Sequence, residues 1–185
     1  MSFKIILKLK ILNLKLLNSK GFTLLELLIY IAILAIITLV IANAFIMLNR
    51  SRGQVEAKNE VSSNLRFALE KTRREVVTAT NLITPADKNT SSSSLALAAG
   101  GDTIRYFASS SQLFRQVNAN APERITGSNV KIDSINFKRL ENTNTVLKKK
   151  RVSVEISLAV SYNSLSPDWQ YSASDKTTAE LSSDL

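Results

Sequence analysis

The chain has 185 residues, no cysteine, no histidine and a formal net charge of +9. That length holds one domain of ordinary size with an appended helix. Without Cys there is no disulfide, thiolate metal site or cysteine nucleophile, and without His the commonest general base and metal ligand is missing, so most catalytic classes are disfavoured from the start.

Lys4, Lys8, Lys10, Lys15 and Lys20 all precede Gly21, in a stretch that contains no acid. They supply five of the nine net positive charges, so removal of residues 1–21 would leave +4. The basic balance is therefore largely a property of this leader and says little about nucleic acid. From Phe22 to Leu48 the chain is apolar, broken only by Thr23, Thr38, Asn43 and one charged residue, Glu26. A helix over that run spans ~40 Å at ~1.5 Å per residue, more than the ~30 Å hydrocarbon core of a bilayer. Its apolar character on every face calls for lipid or other apolar helices all round. The preceding lysines place the N-terminus inside, and the bulk of the chain outside, because Arg50 and Arg52 are diluted by Glu56 and Glu60. An acid inside a bilayer costs about 2.5–3.5 kcal/mol on insertion scales and is a functional hypothesis by default. A secretory signal is cleaved after its apolar region, whereas the candidate cleavage glycine here comes before it. A plain uncleaved anchor, with Gly21 and Glu26 incidental, is the simplest alternative.

The run Lys20-Gly21-Phe22-Thr23-Leu24-Leu25-Glu26-Leu27-Leu28, with its basic leader and apolar continuation, resembles the type IV prepilin signature of type IV pilins and type II secretion pseudopilins. The resemblance implies that a prepilin peptidase/N-methyltransferase cuts between Gly21 and Phe22 and methylates the new terminus on Phe22. It further implies that an inner-membrane assembly platform and its ATPase draw the subunit into a filament with other pilin or pseudopilin subunits. Glu26 would then meet the N-terminal amine of a neighbour's Phe22, an ion pair that supplies registry more safely than net stability. On its own residues, Glu26 lies in the first turn of a helix, where the macrodipole favours a carboxylate by ~0.3–1 kcal/mol. Asn43 stands where major pilins commonly carry a helix-kinking proline. That departure leans toward a minor pilin or minor pseudopilin.

Beyond Leu48 the pattern stays helical. Val61, Leu65, Ala68, Leu69, Thr72, Val76 and Ala79 recur at three- and four-residue steps, opposite Arg66, Lys71, Arg73, Arg74 and Glu75. No proline interrupts before Pro85, so residues 49–80 continue the membrane helix as an amphipathic half, with Gly53 as a soft point. The basic run at 71–74 reads as a solvated helix face.

Residues 81–185 read as a β-rich extracytoplasmic domain. Thr84-Pro85 and the serines at 91–94 predict a loop with little core-forming content. Thr103–Phe107 and Gln112–Val117 flank Ser109-Ser110-Ser111 as a hairpin. Val130, Ile132, Ile135 and Phe137 alternate with a one-residue slip, which predicts a bulge. Even positions from Val152 to Tyr162 alternate without error and predict a strand whose apolar face covers the helix stripe. Trp169 and Tyr171 open a last segment that adds an edge strand or packs as a tail. The predicted class is α+β and pilin-like: one long N-terminal helix on an antiparallel sheet. The succession of strand patterns is similar to the J-type minor pseudopilins.

Lys148, Lys149, Lys150 and Arg151 form the densest charge run, expected in a solvated loop and a candidate anionic-ligand patch. No aromatic residues interleave them to stack on bases, so nucleic acid is disfavoured. Asp168 and Asp175 are too few for the six or more oxygens of a calcium site. No metal or cofactor is expected, and no phosphate loop or nucleophile motif is visible. These features predict a non-enzymatic minor subunit of a type IV pilus or type II pseudopilus. It would start as a single-pass inner-membrane protein in contact with lipid and end in a surface or periplasmic filament. A bitopic receptor or adhesion protein, and a DNA-binding competence pilin, are the alternatives.

Overall fold

The computed structural model describes residues 21–145 and 149–182. The chain divides into two compact units, Met1–Met47 and Leu48–Leu185. One 55-residue helix, α1 (Leu24–Thr78), supplies the described helical part of the first unit and the opening of the second. The expected uninterrupted helix is present within two residues of its predicted end.

Among the described residues of the second unit, nine strands form two antiparallel sheets rather than the single sheet expected. One sheet has the order β1 (Asn81–Thr84), β3 (Ser94–Ala99), β4 (Asp102–Ser109), β5 (Gln112–Val117), β6 (Glu123–Arg124). The other has the order β2 (Ser91–Ser92), β7 (Val130–Asn144), β8 (Lys149–Tyr162), β9 (Ser172–Glu180). The segment after Trp169 thus becomes the edge strand β9, paired along β8 from Ser153↔Glu180 to Ser161↔Ser172.

The helix stripe is buried as its periodicity requires: Val61, Leu65, Ala68, Leu69, Thr72, Val76 and Ala79 are all buried. The stripe shares one core cluster with Leu95, Leu97, Tyr106 and Leu113 of the first sheet and Phe137, Val154, Ile156, Leu158 and Val160 of the second. A helix with one apolar stripe thus finds cover from both sheets at once. Thr72 tolerates burial because its hydroxyl donates to the Ala68 carbonyl at 2.8 Å. At the end of α1, the Val77 carbonyl, left without an intrahelical donor, accepts the Ser182 N–H at 3.1 Å.

The β4–β5 hairpin turns at Ser110 and Ser111, with φ of 48° and 58°, the left-handed pair that a two-residue turn needs. The slip in β7 falls between Ile132 and Ser134, where Asp133 is the extra residue.

Four expectations need correction. The serine-rich segment is not a bare loop: it contains β2 and leads into β3, whose Leu95 and Leu97 are fully buried. Glu75, placed on the polar face opposite the stripe, is half-buried, and its carboxylate contacts Arg115 and Tyr106 across the domain. Gly53 is not a soft point but a packing point. It is buried, and a Cβ built there would lie 2.9 Å from Trp169 Cε2 and Nε1. The charge run 148–151 is not wholly a loop, because β8 begins at Lys149.

Candidate membrane and assembly segment

Gly21, Phe22 and Thr23 precede the helix, and Thr23 caps it. The Thr23 hydroxyl accepts the Glu26 N–H at 3.2 Å, and the Thr23 carbonyl accepts the first helical N–H, that of Leu27, at 3.1 Å. Thr23-x-x-Glu26 is the sequence of a capping box, so the residue that ends the extended entry also fixes Glu26 as the third helical residue. That placement was legible in the sequence, since Thr followed three residues later by Glu before an apolar run marks a helix start. It explains how a carboxylate is held at the very head of the span. The Phe22 ring folds back to Tyr30, centroids 5.3 Å apart, in a tilted contact.

Gly21 makes no steric demand of its own among the described residues: an added Cβ meets nothing within 4 Å, and its φ is not left-handed. Nothing among the described residues therefore requires glycine at this position. Phe22 through Leu48 are exposed along their whole length, a continuous surface of Leu, Ile, Val, Phe and Met. A surface of that kind is covered in the working protein by lipid or by other apolar helices. Within this run the Thr38 hydroxyl donates to the Leu34 carbonyl at 2.8 Å, meeting its polar need inside the helix. This helix is long and apolar enough to cross a membrane.

Only part of the candidate anionic patch, Lys148 to Arg151, falls among the described residues. Lys148 lies outside the described residues, and Lys149 is described only in its backbone. Lys150 Nζ sits 3.0 Å from Glu141 Oε2, and Arg151 Nε sits 3.4 Å from Glu180 Oε1. Glu141 also contacts the Arg139 guanidinium, 2.6 Å from Nη2. Its hydrogen bond with Lys150, and then the one with Arg139, hold its carboxyl below the usual range against the opposing effect of burial. Lys150 and Arg151, both still exposed, thus each meet an acid on a neighbouring strand. Asp168 faces Arg50 at 3.7 Å, and the Asp175 carboxylate accepts the Lys176 N–H at 2.8 Å. Among the described residues no three acids, His or Cys gather as a metal site.

Sequence reasoning missed one polar cluster. Arg115 Nε donates to Glu75 Oε1 at 2.7 Å, and the Tyr106 hydroxyl donates to Glu75 Oε2 at 2.8 Å. Burial, reinforced by the Glu75 charge and this hydrogen bond, pushes the Tyr106 phenol far above its usual range. Lys71 and Arg115 both approach Glu123, at 3.6 and 3.9 Å. The cluster joins α1 to β4, β5 and β6. It is closed, each charge answered by another, and so reads as a positioning device rather than a reactive site. Tyr106 and Arg115 face each other across the β4–β5 hairpin, but their meeting with Glu75 depends on how that hairpin packs on α1, which no local pattern shows.

Residues 16–42 match the family described as the prokaryotic N-terminal methylation motif. The matched span covers residues 16–20, Gly21, Phe22, the Thr23 cap, Glu26 and most of the apolar run. No curated protein and no solved structure gives a match. The chain is thus prepilin-like in its N-terminal segment, and its α+β fold is consistent with a pilin-like subunit.

Proposed function

We propose that this chain is a structural, non-enzymatic minor subunit of a type IV pilus-like filament. The carrying observation is the methylation-motif match over a capped, fully exposed apolar helix with one carboxylate at its head. In this reading the leader, residues 1–21, is removed between Gly21 and Phe22 by a prepilin peptidase, which also methylates Phe22. Residues 22–48 then anchor the chain in the inner membrane, with the N-terminus inside, and later pack among neighbouring subunits. Residues 49–80 carry the globular residues 81–185 on the outer side.

Glu26 pairs with the free amine of a neighbour's Phe22. A carboxylate surrounded by apolar helices needs such a partner, because an unpaired charge there is strongly disfavoured. Asn43 in place of a kinking proline favours a minor subunit, and the strand succession favours the pseudopilins of type II secretion among the possible systems. Intact-mass measurement of the membrane-extracted protein tests the reading. Loss of residues 1–21 with one added methyl group is expected. An uncut, unmethylated chain from cells with an active peptidase overturns it and leaves a bitopic anchor.

A further inference from the structure

We propose that the loop Asn163–Gln170 seats the globular domain on the headgroup layer of the bilayer, with Leu165 as its lipid-inserting side chain. The proposal rests on the membrane-anchoring part of the function above. Leu165 is fully exposed. A lone exposed leucine is ordinary; this one is held out on an organised loop. The Asn163 N–H donates to the Asn129 carbonyl at 2.8 Å, the Ser164 N–H to the Tyr162 carbonyl at 3.0 Å, and the Ser166 N–H to the Ser164 hydroxyl at 3.1 Å. A single 3-10 turn, Pro167–Trp169, closes the loop and lays Trp169 on Gly53 of α1, with Tyr162 stacked behind at 5.8 Å. Asp168 reaches Arg50, one turn earlier in the helix.

That docking site has a defined depth. Arg50 is the first charge after Glu26, so the apolar run ends at Leu48. Gly53 follows Leu48 by ~7.5 Å of helical rise, and Arg50 by only ~3 Å. The headgroup layer on each side of the hydrocarbon is ~5–7 Å deep. A loop fastened to Arg50 and Gly53 therefore lies at headgroup level. Its surroundings match that layer: Trp169 in the loop and Tyr162 stacked on it from β8, residue types enriched there, and an apolar tip, beside the cations Arg50 and Arg52 on the helix.

The chain has no cysteine, so Leu165→Cys gives one labelling site. The full chain carrying a nitroxide at that position is reconstituted in vesicles of phosphatidylethanolamine and phosphatidylglycerol, with Lys88→Cys as the control. Lys88 is exposed in the loop beside Arg139, nine residues along β7 from Val130, ~30 Å at the rise of a strand. Oxygen is expected to broaden the residue-165 signal while an aqueous nickel chelate loses access to it; the residue-88 signal stays open to the chelate. Equal chelate access at both positions overturns the proposal. Protection at residue 165 that vanishes as protein is diluted in lipid also overturns it, in favour of a contact between subunits. Vesicle flotation is read alongside: a chain that fails to float refutes the anchor reading itself, whereas a chain that floats with residue 165 in water refutes only the loop contact.

Discussion

Gly53→Ala separates two physical expectations by sign. In a helix interior, Ala is favoured over Gly by about 0.5–1 kcal/mol. Yet the added Cβ would lie 2.9 Å from Trp169 Cε2 and Nε1 and 3.2 Å from the Asp168 carbonyl. Carbon contacts are optimal at ~3.5–4.0 Å, so the ring and its turn must retreat by on the order of 0.5–1 Å. They are not free to do so, because Tyr162 stacks on the ring and Asp168 is tied to Arg50. Overpacking of this kind costs about 1–3 kcal/mol, which exceeds the propensity gain and leaves a net loss of about 1 kcal/mol. For a unit of this size the loss lowers Tm by roughly 3–5 °C. Thermal unfolding of the full chain in detergent reads the loss. Trp169 emission reads the contact alone, since it is the chain's only tryptophan. A lower Tm with red-shifted emission is expected. Adding Trp169→Leu should invert the effect, so that Gly53→Ala then raises Tm relative to Trp169→Leu by itself. A higher Tm for Gly53→Ala with unchanged emission would refute the reasoning.

The Glu75 cluster predicts an alkaline limit to stability. The Tyr106 phenol ionises near 10.0 when unfolded but far higher when folded, so the unfolded state loses its proton first and stability falls as pH rises above about 10. Denaturation monitored from pH 8 to 11 should show a shallower fall in Tyr106→Phe, and an equally steep fall would exclude this group as the cause. Glu75→Ala leaves the Arg115 guanidinium half-buried without its main acceptor and should cost about 1–3 kcal/mol in urea unfolding. Thr23→Ala removes the cap of the apolar helix, worth about 0.5–2 kcal/mol. Its expected signature is helix fraying in exchange measurements on residues 24–27, with processing at Gly21 retained. Glu26→Leu should be processed normally yet enter filaments poorly, as pull-down with other subunits would report; undiminished incorporation argues against the ion pair. Neutralising Lys150 and Arg151 together should change stability by ~1 kcal/mol or less and leave nucleic-acid retention at physiological salt unchanged.

What could be read from the sequence follows the range of the interactions involved. The stripe from Val61 to Ala79 repeats at the helical period, so each buried position announces itself through neighbours three and four residues away. The even positions of β8 do the same at period two, and the slip in β7 showed where one residue would be left over. The serine-rich segment misled because composition outweighed pattern. Leu95 and Leu97 do alternate, but they follow four serines whose own preference is for turns, and pairing with β4 overrides that preference. The division into two sheets depends on which edges β3 and β7 find, which no local pattern encodes.

The candidate site divides along the same line. Gly21, Phe22, Thr23 and Glu26 lie within six positions, so their order carries their meaning: the glycine and phenylalanine of the proposed cleavage, then a cap and a carboxylate in the first turn. Gly53 had the opposite fate. Read locally, a lone glycine in a helix weakens it. Its actual constraint is an indole delivered from the far end of the chain by the 3-10 turn after β8. The glycine permits close approach, the approach fastens the loop, and the loop holds Leu165 clear of the fold. A residue that looked like a flexible point in the helix is therefore the one that lets the indole, and the loop that carries it, lie directly against α1.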